Sequence, residues 1–241
     1  MEVLAIIQAR GGSKGIPRKN VKLLGGHPLI SYSIIAAQKS SSINRLIVST
    51  DDNEIAETAR QYDAEVPFLR PTKYARDQSK DIDVFKHALS WFEEHEKYIP
   101  DMVVQLRPTC PFRPIGIIDE SVKILLENSD ASSVRSISIV DHSPYKMWVK
   151  DPESKKIKPL LESEYREPYD MPRQKLPYVY SLNGIVDSIR AKTIRKNDSM
   201  TGNKVYPLII DRKYFIDIDD EIHWEKAEEK MIKENKDIYI P

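Results

Sequence analysis

The sequence predicts an α/β fold built on a mostly parallel central sheet, and three observations predict it. Short apolar runs without alternation recur through the first half: VLAIIQA at 3–9, RLIVST at 45–50 and DMVVQL at 101–106. Strands buried on both faces have this pattern. Between them lie segments whose apolar residues recur every three or four positions, the period of a helix. The first run also ends in a glycine-rich, basic loop, and parallel sheets bind ligands at the carboxyl ends of their strands.

The elements follow in order. After VLAIIQA, PLISYSIIAAQKS at 28–40 reads as a helix with Pro28 suited to its first turn. RLIVST is the second strand. Asp51 or Asp52 can cap a helix on which Ile55, Ala59 and Tyr62 share a face. AEVPFL at 64–69 reads as a weaker strand, because Pro67 removes a donor. From Asp81, the residues Ile82, Phe85, Leu89 and Phe92 form a helical stripe; after DMVVQL, Ile115, Ile118, Val122 and Leu125 form another. SVRSISIV at 133–140 closes the alternating set. Residues 141–177 are rich in proline, tyrosine and charge and read as an excursion from the core. Strand-like patterns return in VYSLNGIVDSI and KVYPLIID, and residues 214–234 read as a strand followed by a helix.

Bulk properties narrow the function. With 37 Lys+Arg against 37 Asp+Glu, the 241-residue chain lacks the basic surplus of a nucleic-acid binder. Cys110 is the one cysteine, so no internal disulfide can form and a reducing compartment is expected. No stretch approaches the roughly 18 apolar residues of a membrane span, and the N-terminus does not read as a signal peptide. A cytoplasmic protein is expected, with neither nucleic acid nor membrane as partner.

The chain has 8 glycines, and five of them, Gly11, Gly12, Gly15, Gly25 and Gly26, fall within residues 11–26. Glycine lets a ligand approach the main chain, and successive N–H groups of such a loop can turn toward one anion. Ser13 adds a hydroxyl, while Arg10, Lys14 and Lys19 add charge. The set suits a triphosphate, although neither GxxxxGK[ST] nor GxGxxG is present. Near the C-terminus, Asp217 and Asp219 lie two apart, which on a strand puts both carboxylates on one face. Two hard oxygen ligands suit Mg²⁺. Asp219 or Asp220 could instead cap the following helix. Cys110 and the five histidines show no paired base or metal spacing and carry no assigned chemistry.

ARGGSKGIPRKN resembles the first motif of the acylneuraminate cytidylyltransferases, the CMP-sialic acid synthetases and their relatives. LIVSTDD, LRP at 69–71, RPTCPFR at 107–113, PRQKLP at 172–177, NG at 183–184 and DIDD at 217–220 follow in the family's order. The resemblance covers essentially the whole chain. It implies a single Rossmann-like, GT-A-like nucleotidyltransferase domain over 1–241, with an inserted dimerisation arm at 141–177. It implies Mg²⁺-dependent coupling of CTP to the anomeric hydroxyl of a nonulosonic or other 3-deoxy-ulosonic acid, by a homodimer. By resemblance, Arg10 and Lys14 hold the triphosphate, Lys19 acts near the α-phosphate, and Asp217 and Asp219 hold the metal. Gly11, Gly12, Ser13, Asn20 and Arg70 lie on the nucleotide side, and Arg107, Arg173 and Asn183 on the acceptor side.

Three positions depart from the sialic acid enzymes. Arg107 stands where they have glutamine, Asp81 where they have a nucleotide-side serine, and Ser181 where they have an arginine. Arg107 suits a carboxylate, since a guanidinium fork matches it. With Arg173 it equally suits a phosphate. Asp81 can accept from cytosine or from guanine, or cap the helix at Ile82. A sugar-phosphate nucleotidyltransferase using GTP, and a catalytically silent nucleotide-binding partner subunit, stay open on these residues.

Overall fold

A computed structural model describes residues 1–233 and 237–241. Strand β1 (Val3–Gln8) is central, with β4 (Arg45–Ser49) and β5 (Met102–Leu106) parallel on either side of it. Beyond β5 come β9 (Tyr180–Arg190), β6 (Ser133–Ile139) and the edge strand β10 (Val205–Ile209), giving the order β10-β6-β9-β5-β1-β4. Only β9 runs against its neighbours. The apolar runs that identify β1 and β5 are buried along almost their whole length, as strands covered on both faces must be.

Helices cover both faces. α1 (Leu29–Gln38), α2 (Asn53–Gln61) and α4 (Ile117–Glu127) pack with Ala5, Ile7, Val104 and Leu106 on one side. α3 (Asp81–Glu96) and α5 (Ala191–Asn197) pack with Leu4, Ile6, Val103 and Ile189 on the other. α6 (Glu221–Lys233) builds a third cluster with Ile16, Leu24, Tyr32 and Phe112. Asp52 caps α2 by accepting from the Ile55 N–H at 3.0 Å, and Asp220 caps α6 by accepting from the His223 N–H at 2.9 Å. The expected cap at the start of α6 is therefore Asp220. The last residue of the 214–234 reading lies outside the described residues.

Two expected strands do not form. Residues 64–69 make only isolated bridges, Glu65 with Ile47 and Leu69 with Thr50. Residues 215–219 have no regular structure after a single 3₁₀ turn at Arg212–Tyr214. They are fixed instead by the Ile218 N–H, which donates to the Thr109 carbonyl at 2.8 Å. The alternation that reads as a strand comes from Ile218, fully buried between half-buried Asp217 and exposed Asp219.

Residues 141–177 add no strand to the six-stranded sheet. They carry a separate hairpin, β7 (Trp148–Lys150) against β8 (Ile157–Pro159), every residue of which is exposed. Trp148, Val149, Ile157 and Leu160 are among its exposed apolar side chains. Among the described residues, no helix is long and apolar enough to cross a membrane.

Candidate active site

The loop after β1 lies at the carboxyl end of the sheet, over a cavity of about 400 Å³. Arg10, Ser13, Lys14, Lys19 and Asn20 line it from the loop itself. Arg70 lines it from the segment before α3, Asp81 from the first position of α3, where no side chain caps the helix, Arg107 from the end of β5, and Asp219 from the stretch before α6. Residues far apart in sequence thus converge where the parallel strands end.

The five clustered glycines divide into two groups. Gly25 and Gly26, with φ of 56° and 90°, turn the small hairpin β2 (Leu23–Leu24) to β3 (His27–Pro28), and two successive positive φ values are what such a turn requires. They have no part in the cavity. Gly15 is required by close approach: a Cβ there would lie 1.9 Å from the Asp219 carbonyl oxygen. A Cβ on Gly11 would lie 2.8 Å from an Asp52 oxygen. The Gly11 N–H already donates to Asp51 Oδ1 at 3.0 Å, so it is not free to face an anion, contrary to the expectation for that glycine. Asn20 closes the loop by donating from Nδ2 to the Arg10 carbonyl at 3.0 Å.

Each cation of the cavity has an anionic or carbonyl neighbour. Asp77 bridges Arg10, at 3.0 Å, and Lys14, at 2.6 Å. Buried Lys19 donates from Nζ to the Ile218 carbonyl at 2.5 Å and lies 3.3 Å from Asp219 Oδ1. Arg70 is 5% exposed, with Asp51 at 3.8 Å. Burial pushes its guanidinium below the ordinary arginine range, partly offset by the Asp51 charge. Such an array offers several donors to a polyphosphate that displaces the acids.

The floor is a polar patch in an apolar sheet face. Gln8 closes β1 and Gln105 lies on β5, on the face that carries Leu4, Ile6 and Val103 toward α3. Both amides donate to Asp81: Gln8 Nε2 to Oδ1 at 2.8 Å and Gln105 Nε2 to Oδ2 at 3.0 Å. Arg107 donates to the same Oδ2 at 2.6 Å. Burial disfavours the Asp81 carboxylate, but the Arg107 charge and these hydrogen bonds outweigh it and hold the acid below its usual range. Behind them Asp187 pairs across the sheet with Gln105 and Arg135. Its burial pushes its carboxyl up.

The remaining expected site residues lie elsewhere. Asp217 is not on the cavity wall; its Oδ1 is 3.9 Å from Cys110 Sγ. Asn183 is buried, with Nδ2 donating to Ser138 Oγ at 2.9 Å and Oδ1 accepting from the Ile185 N–H at 3.1 Å. Arg173 sits at the base of the arm, where it donates to the Val140 carbonyl at 2.5 Å. The sequence reading did not single out Gln8, Asp77 or Gln105. For Gln8 and Gln105 the signal was a polar residue ending or interrupting an apolar strand; Asp77 lies in a turn and carried none. Arg113, the last residue of RPTCPFR, is fully buried and donates to the Ile185 and Arg107 carbonyls and to Ser33 Oγ.

A family model described as cytidylyltransferase matches residues 4–239. The chain belongs to the cytidylyltransferase family. This cytidylyltransferase is 36% identical over 232 residues to the CMP-N,N'-diacetyllegionaminic acid synthase of Legionella pneumophila, covering 96% of this chain and 97% of that one. It is 30% identical over 227 residues to the enzyme of the same name from Campylobacter jejuni, with 94% of each covered. Among solved structures, a CMP:2-keto-3-deoxy-manno-octonic acid synthetase complexed with CTP superposes with a TM-score of 0.70 at 13% identity, covering 98% of this chain and 100% of that one. That likeness is one of fold. The Rossmann-like nucleotidyltransferase architecture expected from the sequence is borne out, and the cytidylyltransferase is a nucleotidyltransferase by family.

Proposed function

We propose that this chain transfers CMP from CTP to the anomeric hydroxyl of a nonulosonic acid of the N,N'-diacetyllegionaminic type, releasing pyrophosphate. The observation that carries the reading is the single cavity lined by Arg10, Lys14, Lys19 and Arg107. The names of the Legionella and Campylobacter relatives supply the acid. The acceptor hydroxyl oxygen attacks the α-phosphorus as the bond to pyrophosphate breaks, and the hydroxyl proton leaves to solvent. Arg10 and Lys14 offset the charge that collects on the leaving group, and Lys19 that on the α-phosphate. In-line positioning and fixed positive charge lower the barrier to such a step. Arg107 presents a guanidinium suited to the acceptor's carboxylate.

Asp219, on the cavity wall, fits Mg²⁺ as a hard carboxylate, and Asp217, two residues away but off that wall, is the second carboxylate that would hold it. Cys110 does not compete as a soft ligand, because burial pushes its thiol up to about 12 and keeps it protonated. When bound, Mg²⁺ neutralises phosphate charge. The exposed apolar residues of 141–177 support a homodimer joined through this arm.

Pyrophosphate release is the test, with CTP, GTP, ATP and UTP each offered alongside N,N'-diacetyllegionaminic acid, N-acetylneuraminic acid or a hexose 1-phosphate. Turnover is expected with CTP and the diacetylated acid, and EDTA should abolish it. Turnover only with GTP and the sugar phosphate, or no turnover with any pair, overturns the proposal.

A further inference from the structure

In sequence, Asp81 and Arg107 are separate departures from the sialic acid enzymes, one toward the nucleotide and one toward the acceptor. In the folded chain they touch. We propose that Asp81 is a positioning residue for Arg107, so that the two form one acceptor-specifying unit and Asp81 does not read the base. The proposal deepens the functional reading above and rests on it.

The hydrogen-bond inventory of the carboxylate supports this. Asp81 Oδ1 accepts from Gln8, and Oδ2 accepts from both Gln105 and Arg107. An ionised carboxylate has about four lone-pair sites, and three are filled by groups of the protein. The two glutamines come from adjacent sheet strands, β1 and β5, so the carboxylate is anchored to the rigid part of the fold. Arg107 is then held from two sides. Its Nη2 meets Asp81 at 2.6 Å, and its stem passes over Gly184, where a Cβ would lie 3.0 Å from Arg107 Cδ and 3.4 Å from Nε. Gly184 has φ of +67°, a conformation glycine adopts without strain. Arg113 adds a third restraint by donating to the Arg107 carbonyl at 2.6 Å. A guanidinium fixed at its stem, its backbone and one Nη keeps its remaining donors aimed into the cavity. Such preorganisation lowers the cost of gripping an anion.

The test compares Asp81→Asn, Arg107→Gln, the double variant and Gly184→Ala, with separate KM values for CTP and N,N'-diacetyllegionaminic acid. Circular dichroism and thermal melting establish that each is folded. Asp81→Asn and Arg107→Gln should each raise the acceptor KM at least about tenfold and leave the CTP KM within about twofold. The double variant should be no worse than Arg107→Gln, because the two residues act as one unit. Gly184→Ala, which displaces Arg107 and leaves Asp81 in place, should reproduce the same split, and Asp81→Glu should recover part of the loss. An Asp81→Asn enzyme with a raised CTP KM and an unchanged acceptor KM overturns the proposal. So do losses that multiply in the double variant, or an acceptor KM raised by Arg107→Gln alone. An unchanged acceptor KM in Arg107→Gln instead overturns the acceptor reading on which the proposal rests.

Discussion

Replacing Gly15 by alanine adds one methyl group where the glycine loop meets the stretch before α6. The new Cβ would lie 1.9 Å from the Asp219 carbonyl oxygen and 3.0 Å from its carbon. That is about 1.5 Å short of ordinary contact, and the obstacle is backbone, which cannot rotate aside. Either the loop carrying Lys14 or the stretch carrying Ile218 and Asp219 must move. Both define the cavity, and Lys19 is tied to the second by its bonds to Ile218 and Asp219. Overpacking of this kind costs about 1–3 kcal/mol, which in a chain of this size lowers Tm by about 2–12 °C. A shift of about 1 Å between charge-bearing groups can cost about 100-fold in rate. The assay is pyrophosphate release with CTP and the acid, alongside a thermal melt. Gly12→Ala is the stability control, because a Cβ there meets nothing within 4 Å, and its Tm should match that of the parent. Gly15→Ala with unchanged Tm and activity within about threefold of the parent would refute the close-approach reasoning.

Three further outcomes are expected. Asp77→Asn frees Arg10 and Lys14 from the acid that bridges them and should lower the CTP KM about two- to fivefold, the modest change typical of exposed pairs; a raised KM would show that Asp77 orients the cations instead. Arg113→Met removes a buried cation that donates to three oxygens at 2.6–2.9 Å and should cost about 3 kcal/mol or more in urea unfolding, a loss that Arg113→Lys should only partly restore. Asp187 has a carboxyl raised above its usual 3.8 by burial, so its contribution to stability is complete below that pH and is lost as pH rises through its folded value. Asp187→Asn should therefore gain stability over the parent as the pH is raised from about 4 to 8, and a difference in Tm that stays constant across that range would contradict the assignment.

Much of the framework can be read from the sequence, and the reasons are physical. β1, β4 and β5 appear as apolar runs without alternation because both faces of the sheet are covered. α2 announces itself through Asp52 and the Ile55–Ala59 stripe, since capping and amphipathicity are local. Residues 215–219 mislead because Ile218 is buried by α6 and by Thr109 rather than by a neighbouring strand. The glycine cluster marks the loop that lies over the cavity, yet Gly11 and Gly15 answer to Asp52 and Asp219, which only the fold brings near. The Asp81–Arg107 contact spans 26 positions and the Gln8–Asp81 contact 73. No local pattern encodes either, because the sheet's strand order creates both.

The main chain leaves the sheet at Ile139 and returns at Tyr180, and those two residues are cross-strand partners. The arm's two ends are thus fixed side by side before any residue between them is specified. Closing a longer or shorter loop over such a gap changes the free energy only slowly with length. This junction is therefore a natural grafting point: hairpins from relatives, affinity tags or small domains could be exchanged between 140 and 179 while the catalytic half keeps its register.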